Sequence, residues 1–236
     1  MSFELLLFRT GLVGLLFLVT EIYATQLKYR PARTTDLSGI AKLLCATFEE
    51  IPEWNVLKLK LAEDGYKKQL DYRMEKLVKA GAKHALIVVV PDTNGDGDVA
   101  GFMELGTMPS PIPVTVEWNG CMTETRPEMP YLANVAVGTK YRRQKIGSKL
   151  VQLAIRISEK WSDPDDIDPA LYLSVDKDNA AAVSMYDKLD FVRIIDETDK
   201  SMIPNKDNER KLRRKPRLYF RKLLETTGER QEAPPE

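Results

Sequence analysis

The stretch from Tyr131 to Leu150, YLANVAVGTKYRRQKIGSKL, constrains the fold more than any other part of the sequence. A β-branched apolar run, a short basic turn and a run with helical periodicity predict a strand, a tight turn and a helix. The first turn of a helix carries N–H groups without an intrahelical partner, and the helix dipole adds positive charge there. The sequence therefore predicts a strand–turn–helix unit that can bind a phosphate-bearing ligand.

Strands and helices alternate along the rest of the chain. The predicted strands cover residues 27–31, 84–90, 99–106, 132–137, 170–175, 191–195 and 217–224, and the predicted helices cover residues 36–48, 61–79, 146–161 and 179–189. The segment PDTNGDGD between the second and third strands is typical of a hairpin turn. A hairpin followed by strand–helix–strand–helix–strand predicts one mixed α/β sheet with helices on both faces.

Two segments stand apart from this alternation. Residues 107–130 are long for a strand connection and carry five prolines, so we expect a loop, either a binding loop or a variable surface loop. Residues 206–222 are basic, but such a charge run is more often a solvated face than a nucleic-acid patch. The 35 Lys and Arg residues balance the 35 Asp and Glu residues, which argues against a nucleic-acid partner.

The two ends of the chain are interpreted separately from the fold. Residues 11–19 form an apolar run that is short for a membrane span of about 20 residues and suits a targeting signal, with Ala24 before a cleavage site. An uncleaved anchor and an ordinary N-terminal helix are the alternatives. We expect a targeting segment at residues 1–26, a globular domain at 27–224 and a disordered tail at 225–236.

The sequence contains almost none of the residues that two classes of catalytic site require. His84 is the only histidine, and the only two cysteines, Cys45 and Cys121, lack metal-ligand spacing. We therefore predict no metal site and no Ser–His–Asp triad. Cys45 lies in an apolar helical run and is predicted to be a core residue.

The basic turn and a second motif supply the candidate binding residues. The backbone of the turn can wrap around an anion, Gly147 allows close approach, and Ser148 adds a hydroxyl. The candidate anion-binding residues are Arg142, Arg143, Gln144, Lys145, Ile146, Gly147 and Ser148. Asn179, Ala182 and Tyr186 follow at spacings of three and four, so they share one face of a helix. Tyr186 is therefore either a core residue or a residue that faces a ligand.

The two motifs together, in this order, resemble the GNAT acetyltransferase superfamily over residues 27–224. The family's signatures R/Q-x-x-G-x-G/A and N-x-x-A-x-x-x-Y correspond here to Arg142, Lys145 and Gly147 and to Asn179, Ala182 and Tyr186. In detail the sequence looks most like the plastid GNAT enzymes of plants and algae, which acetylate protein N-termini and lysines. The resemblance implies a GNAT-type α/β fold with a mixed, mostly antiparallel central sheet and helices on both faces.

The resemblance also implies that the chain binds acetyl-CoA as a co-substrate. The end of the fourth core strand would pair through its backbone with the pantetheine arm, like an added strand, and N–H groups of the basic turn would bind the diphosphate. Asn179 would hydrogen-bond to the pantetheine, and the two alanines after it would lie beside the coenzyme. The residues that these roles add to the turn are Val135, Ala136, Val137, Asn179, Ala180 and Ala181.

Acetyl transfer to an amine needs no covalent enzyme intermediate. A neutral amine attacks the thioester, a strand N–H stabilises the oxyanion, and a thiolate with a reference pKa of about 8.5 leaves. The resemblance implies that Tyr186, with a reference pKa near 10, protonates this thiolate. Ser174 stands where some N-terminal acetyltransferases carry a glutamate base, so the candidate bases are Glu104, Glu128 and a chain of water molecules.

Lys145 departs from the family signature, because it replaces the first glycine. We expect an ordinary negative φ at this position, where lysine costs nothing and adds positive charge.

The sequence as a whole predicts an acetyl-CoA-dependent N-acetyltransferase that acts on protein N-terminal α-amines, with lysine ε-amines as further acceptors. The alternatives are an N-acetyltransferase for small amines and a non-catalytic acyl-CoA-binding module. The resemblance and the apolar leader predict a plastid location, with the secretory route or a membrane anchor as alternatives. Membrane contact is expected only through an uncleaved N-terminal segment.

Overall fold

A computed structural model describes residues 26–52, 54–80, 82–92, 98–118, 121–162, 169–198 and 216–224. The expected targeting segment up to residue 25, residues 206–215 of the basic run and the expected tail from residue 225 lie outside the described residues. None of the helices in the described ranges has the length and apolar content that crossing a membrane requires.

Nine strands are present in the described part of the chain. They are β1 (Leu27–Pro31), β2 (Ala85–Pro91), β3 (Gly101–Pro109), β4 (Val114–Trp118), β5 (Cys121–Thr125), β6 (Glu128–Val137), β7 (Ala170–Asp176), β8 (Val192–Asp196) and β9 (Arg217–Leu223). Seven of them form one sheet in the order β1-β2-β3-β6-β7-β9-β8, and β4 pairs with β5 in a separate ribbon. Within the described sheet the β6–β7 pair is parallel and the other pairs are antiparallel, which confirms the mixed, mostly antiparallel sheet.

Helices cover both faces of this sheet, as predicted. The described helices are α1 (Leu37–Phe48), α2 (Val56–Ala80), α3 (Ile146–Trp161) and α4 (Ala180–Asp187). Side chains alternate between the faces along each strand, so Val88 packs in a cluster with α1 and α2 while Val89 packs in a cluster with α3 and α4. Cys45 is buried in α1, which confirms its prediction as a core residue.

The segment from residue 107 to residue 130 is not a loop, and that prediction is wrong. β3 continues to Pro109, β6 begins at Glu128, and between them β4 and β5 form an antiparallel ribbon. The prolines misled the prediction, because Pro111, Pro113 and Pro127 lie between strands rather than inside them.

Helix α2 begins at Val56, five residues earlier than the predicted start at residue 61. Val56 and Leu57 are 67% and 72% exposed, so the first turn of this helix has no buried apolar face that periodicity can detect.

Asp36 is the N-cap residue of α1, but its side chain makes no capping bond to the helix. It accepts two hydrogen bonds from Arg30 of β1, at 2.7 and 2.9 Å, and one from the Arg33 N–H at 2.7 Å. The Arg30 hydrogen bonds and the backbone N–H of Arg33 outweigh the effect of burial, so the pKa of Asp36 lies below its usual value. Asp36 therefore ties α1 to the edge strand β1.

Candidate active site

Strands β6 and β7 separate soon after they meet. Their register joins only two residue pairs, Tyr131–Tyr172 and Leu132–Leu173. β6 stays paired with β3 up to its last residue, but no described strand lies on its other side along residues 133–137. The two strands therefore form a fork, and one arm of the fork is an open strand edge.

The open edge presents backbone groups of the predicted strand end. The N–H of Gly138 donates to the carbonyl of Ala100 at 3.0 Å, on the β3 side. Because N–H groups alternate between the two sides of a strand, those of Val135 and Val137 face the open side of β6. Ala136, which lies between them, has its side chain buried in the cluster with α1. An extended ligand can therefore pair with β6 here as an added strand would.

The turn between β6 and α3 contains two residues in the left-handed region. Arg143 has a φ of 67°, and Lys145, the N-cap of α3, has a φ of 59° with a ψ of 16°. The expectation of an ordinary φ at Lys145 is therefore wrong. The position where the family signature carries glycine does require a positive φ, and lysine occupies it at a cost of about 1 kcal/mol.

The same turn exposes a row of backbone donors. Among the described residues, the N–H groups of residues 143–148 donate to no backbone carbonyl, whereas the Lys149 N–H donates to the Lys145 carbonyl at 3.0 Å. Ile146 is buried and anchors the start of α3, and Ser148 is half-buried. The exposed residues of the turn are Arg142, Arg143, Gln144 and Lys145. Backbone donors at a helix start, surrounded by positive side chains, suit a diphosphate.

Gly147 lies where α3 comes close to its neighbours. A Cβ atom at this position would lie 3.2 Å from Met185 Sδ and 3.8 Å from Val137 Cγ2. The missing side chain therefore serves the packing of α3 against β6 and α4, a function that the sequence interpretation did not include. Met185 itself was missed, because no motif marks it.

Asn179 is the N-cap of α4. Its Oδ1 accepts a hydrogen bond from the Ala182 N–H at 3.2 Å, which leaves Nδ2 as the group that can bind pantetheine. Ala180 and Ala181 are exposed in the first turn of the helix. Asn179 thus fixes the start of α4, and its predicted contact with the coenzyme stays a prediction.

Tyr186 is buried in the same cluster as Leu132 and Leu173, the residue pair after which the fork opens. Its ring lies 5.7 Å from the ring of Phe191 and 5.9 Å from that of Phe220, measured between centroids. Burial raises the pKa of its hydroxyl well above the usual value, with a further increase from the neighbouring Tyr131. The hydroxyl therefore keeps its proton at neutral pH, as a proton donor must.

A second group of polar side chains lies on the face of the sheet opposite α3 and α4. The Tyr131 hydroxyl donates to Ser174 Oγ at 2.8 Å, and Arg217 donates to the same oxygen at 3.3 Å. The Tyr219 hydroxyl donates to the Glu197 carboxylate at 3.2 Å, and burial followed by the charge of Glu197 raises the pKa of Tyr219 to about 12. We call these five residues the acceptor-side cluster. Sequence motifs missed it because it combines residues of three strands and a turn.

Neither carboxylate predicted as a candidate base has a suitable environment. Glu104 is only 6% exposed and accepts hydrogen bonds from Arg73, from His84 at 3.0 Å and from Asn134 at 2.7 Å. Burial alone raises the pKa of Glu104, but the bond from His84, the charge of Arg73 and the bond from Asn134 lower it below its usual value. Glu128 is exposed at the opposite end of β6 from the open edge.

Metal-ligating side chains do not gather anywhere in the described ranges: no three residues among His, Cys, Asp and Glu lie close enough together to hold an ion.

Comparisons with known proteins agree with this fold. The family model described as the acetyltransferase (GNAT) family matches residues 39–191. NAA60 of Arabidopsis thaliana in complex with acetyl-CoA is similar in structure, with a TM-score of 0.55 and 14% identity over 84% of this chain and 99% of that chain. The same protein with a bisubstrate analogue gives a TM-score of 0.53 and 14% identity over 86% of this chain and 100% of that chain.

The ribosomal-protein-S18-alanine N-acetyltransferase from Escherichia coli is also similar, with a TM-score of 0.50 and 18% identity over 88% of this chain and 100% of that chain. No curated protein matches the chain in sequence. At these identities the likeness to the solved structures shows a shared fold.

Proposed function

The chain belongs to the acetyltransferase (GNAT) family and is an acetyl-CoA-dependent N-acetyltransferase, and we propose that its acceptors are the α-amines of protein N-termini, with lysine ε-amines as further acceptors. The observation that carries the acetyl-transfer function is the fork between β6 and β7. It combines an open strand edge and a donor-rich turn for the coenzyme with the Tyr186 hydroxyl near its start.

The two substrates would meet at the fork from opposite faces of the sheet. The coenzyme would lie along the open edge of β6, with its diphosphate at the start of α3 and its thioester near Tyr186. The acceptor amine would enter from the face that carries the acceptor-side cluster, where the Glu197 carboxylate can attract a cationic amine. This arrangement keeps the acceptor away from the diphosphate site.

The proposed reaction is a direct attack of the amine on the thioester. The neutral nitrogen adds to the carbonyl carbon, and a backbone N–H of the β6 edge donates to the oxyanion. Collapse breaks the carbon–sulfur bond, and the leaving thiolate takes the proton of the Tyr186 hydroxyl, which solvent later replaces. The proton of the amine would leave through a chain of water molecules at the acceptor-side cluster, because the oxygens of Glu104 are already occupied by three donors.

Protein acceptors are favoured by the solved structures that share this fold. One of them was captured with a bisubstrate analogue, and another is named for the alanine of a ribosomal protein that it acetylates. A small amine such as a polyamine or an amino acid is the alternative acceptor. A non-catalytic acyl-CoA-binding module is the alternative from a different class.

Incubation with radiolabelled acetyl-CoA separates these functions. The acceptors are a peptide library with free N-termini, the same peptides with blocked N-termini and free lysines, and a panel of polyamines, amino acids and aromatic amines. We expect label in the free peptides and less in the blocked ones. Label in the amine panel alone would contradict the protein acceptor, and binding of acetyl-CoA without any transfer would contradict the enzymatic function.

We also propose that the chain is a plastid-type enzyme that residues 1–26 direct to the organelle. The support is the apolar run at residues 11–19 together with the resemblance of the two motifs. A fluorescent fusion of the full chain should enter plastids, and the mature protein should begin near residue 26 by mass measurement. A mature protein that retains Met1, or a fusion on the secretory route, would contradict this proposal.

A further inference from the structure

Strand β6 contains one irregular position close to the fork. The register between β3 and β6 shifts between Phe102 and Glu104, where β3 has one residue and β6 has two, Asn134 and Val135. Asn134 has a φ of 53°. Two residues opposite one define a β-bulge, and where the first of the two adopts the left-handed conformation it is usually glycine. Asparagine tolerates this conformation better than most other residues with a side chain, but less freely than glycine, so a contact that holds its side chain stabilises it there.

The carboxylate of Glu104 on the neighbouring strand gives this support. Asn134 Nδ2 donates to Glu104 Oε2 at 2.7 Å. Glu104 is held in turn by Arg73 of α2, which donates to Oε2, and by His84, whose Nε2 donates to Oε1 at 3.0 Å. The buried carboxylate therefore keeps a fixed position beside the bulge.

The bulge also decides how the open edge of β6 is oriented. Leu132 is the last residue of β6 that pairs with β7, and Asn134 follows two residues later. A bulge bends its strand and increases the local twist. The N–H groups of Val135 and Val137, which face the open side, come directly after this bend. Their direction therefore depends on the conformation of Asn134.

We propose that Glu104 is a positioning residue for acetyl-CoA: it fixes Asn134 in the left-handed conformation, and the bulge then holds the N–H groups of Val135 and Val137 where pantetheine binds. This inference rests on the coenzyme site proposed above. It gives the buried carboxylate a function other than that of a base, since each of its oxygens already accepts a hydrogen bond.

Calorimetric titration of four variants with acetyl-CoA tests this proposal. Glycine adopts the left-handed region freely and alanine does not, so Asn134→Ala should raise the Kd about tenfold and Asn134→Gly less than about threefold. Glu104→Gln should raise the Kd about tenfold by itself, but less than about threefold when it is combined with Asn134→Gly, because glycine needs no support. The glycine substitution thus rescues the loss of the carboxylate.

Glu124→Gln, the same chemical change at an exposed carboxylate of β5, is the matched control and should leave the Kd unchanged. A carboxylate that served only folding would lower the unfolding temperature of Glu104→Gln without raising its Kd, and this result would overturn the proposal. Equal Kd values for Asn134→Ala and Asn134→Gly would also overturn it. A failure of the unsubstituted chain to bind acetyl-CoA would instead overturn the coenzyme site on which the proposal rests.

Discussion

Lys145 combines a strained backbone conformation with a positive charge at the start of α3. Its left-handed conformation costs about 1 kcal/mol that glycine would not lose. In return the side chain adds a positive charge at the start of α3, where the dipole already favours an anion. The sequence marked this position through the missing glycine, but φ could not be inferred because lysine is compatible with either conformation of the turn.

Lys145→Gly should therefore stabilise the fold, raising the free energy of unfolding by up to about 1 kcal/mol. The gain is reduced because glycine also increases the chain entropy of the unfolded state. Denaturant titration of the chain without ligand measures this change. The matched control is Gln152→Gly in the middle of α3, an exposed position with helical backbone, which should lower stability by about 1 kcal/mol. An equal loss of stability in both variants would show that the backbone of Lys145 is not strained.

Tyr186 is the residue that we propose as the proton donor of the chemical step. Tyr186→Phe should lower kcat at least about a hundredfold, because general acid catalysis contributes that much or more, and should leave the Kd of acetyl-CoA within about threefold. Initial rates and calorimetry give the two quantities. Tyr72→Phe, an exposed tyrosine of α2, is the control and should change neither. Equal losses in kcat and affinity would contradict the function of Tyr186 as proton donor.

At the scale of elements, the sequence predicted the helices and strands whose bounds depend on residues close together in the chain. The bounds of α3, Ile146–Trp161, agree with the prediction because the basic turn and the apolar periodicity both mark them. The β4–β5 ribbon was missed because the prolines that flank it are typical of a loop. The Glu104–Asn134 contact joins residues that are 30 positions apart, and the Tyr131–Ser174 contact joins residues that are 43 positions apart. No local sequence pattern can therefore predict these two contacts.

The link between β1 and α1 gives the fold a pH dependence. The pKa of Asp36 in the folded chain lies below its ordinary value of 3.8. The ion pair with Arg30 therefore contributes its full stability above that ordinary value, and the contribution is lost as the pH falls through the lower folded pKa. Unfolding measured from about pH 6 to pH 2 should show a smaller pH dependence for Asp36→Asn than for the unsubstituted chain. Parallel curves would contradict this contribution.

At the scale of the whole molecule, the site results from the sheet order. β6 lies between β3, with which it pairs in antiparallel, and β7, with which it pairs in parallel. β6 and β7 diverge after two residue pairs. α3 and α4 pack on one face of this opening, and the acceptor-side cluster lies on the other. The family resemblance pointed to the strand end and the turn on one side of this opening, and their binding of the coenzyme stays a prediction. It did not point to the acceptor-side cluster, because those residues meet only once β6, β7 and β9 lie side by side.

The central claim is that backbone N–H groups at the start of α3 hold the diphosphate of acetyl-CoA. Calorimetric titration of the full chain with acetyl-CoA and with S-acetylpantetheine, which lacks the diphosphate and the 3′-phosphoadenosine beyond it, tests it most directly. We expect one acetyl-CoA per chain and an affinity for S-acetylpantetheine at least about tenfold weaker, because the donors at residues 143–148 and the surrounding positive side chains then have no anion to bind. No binding of acetyl-CoA, or equal affinities for the two ligands, would contradict the claim.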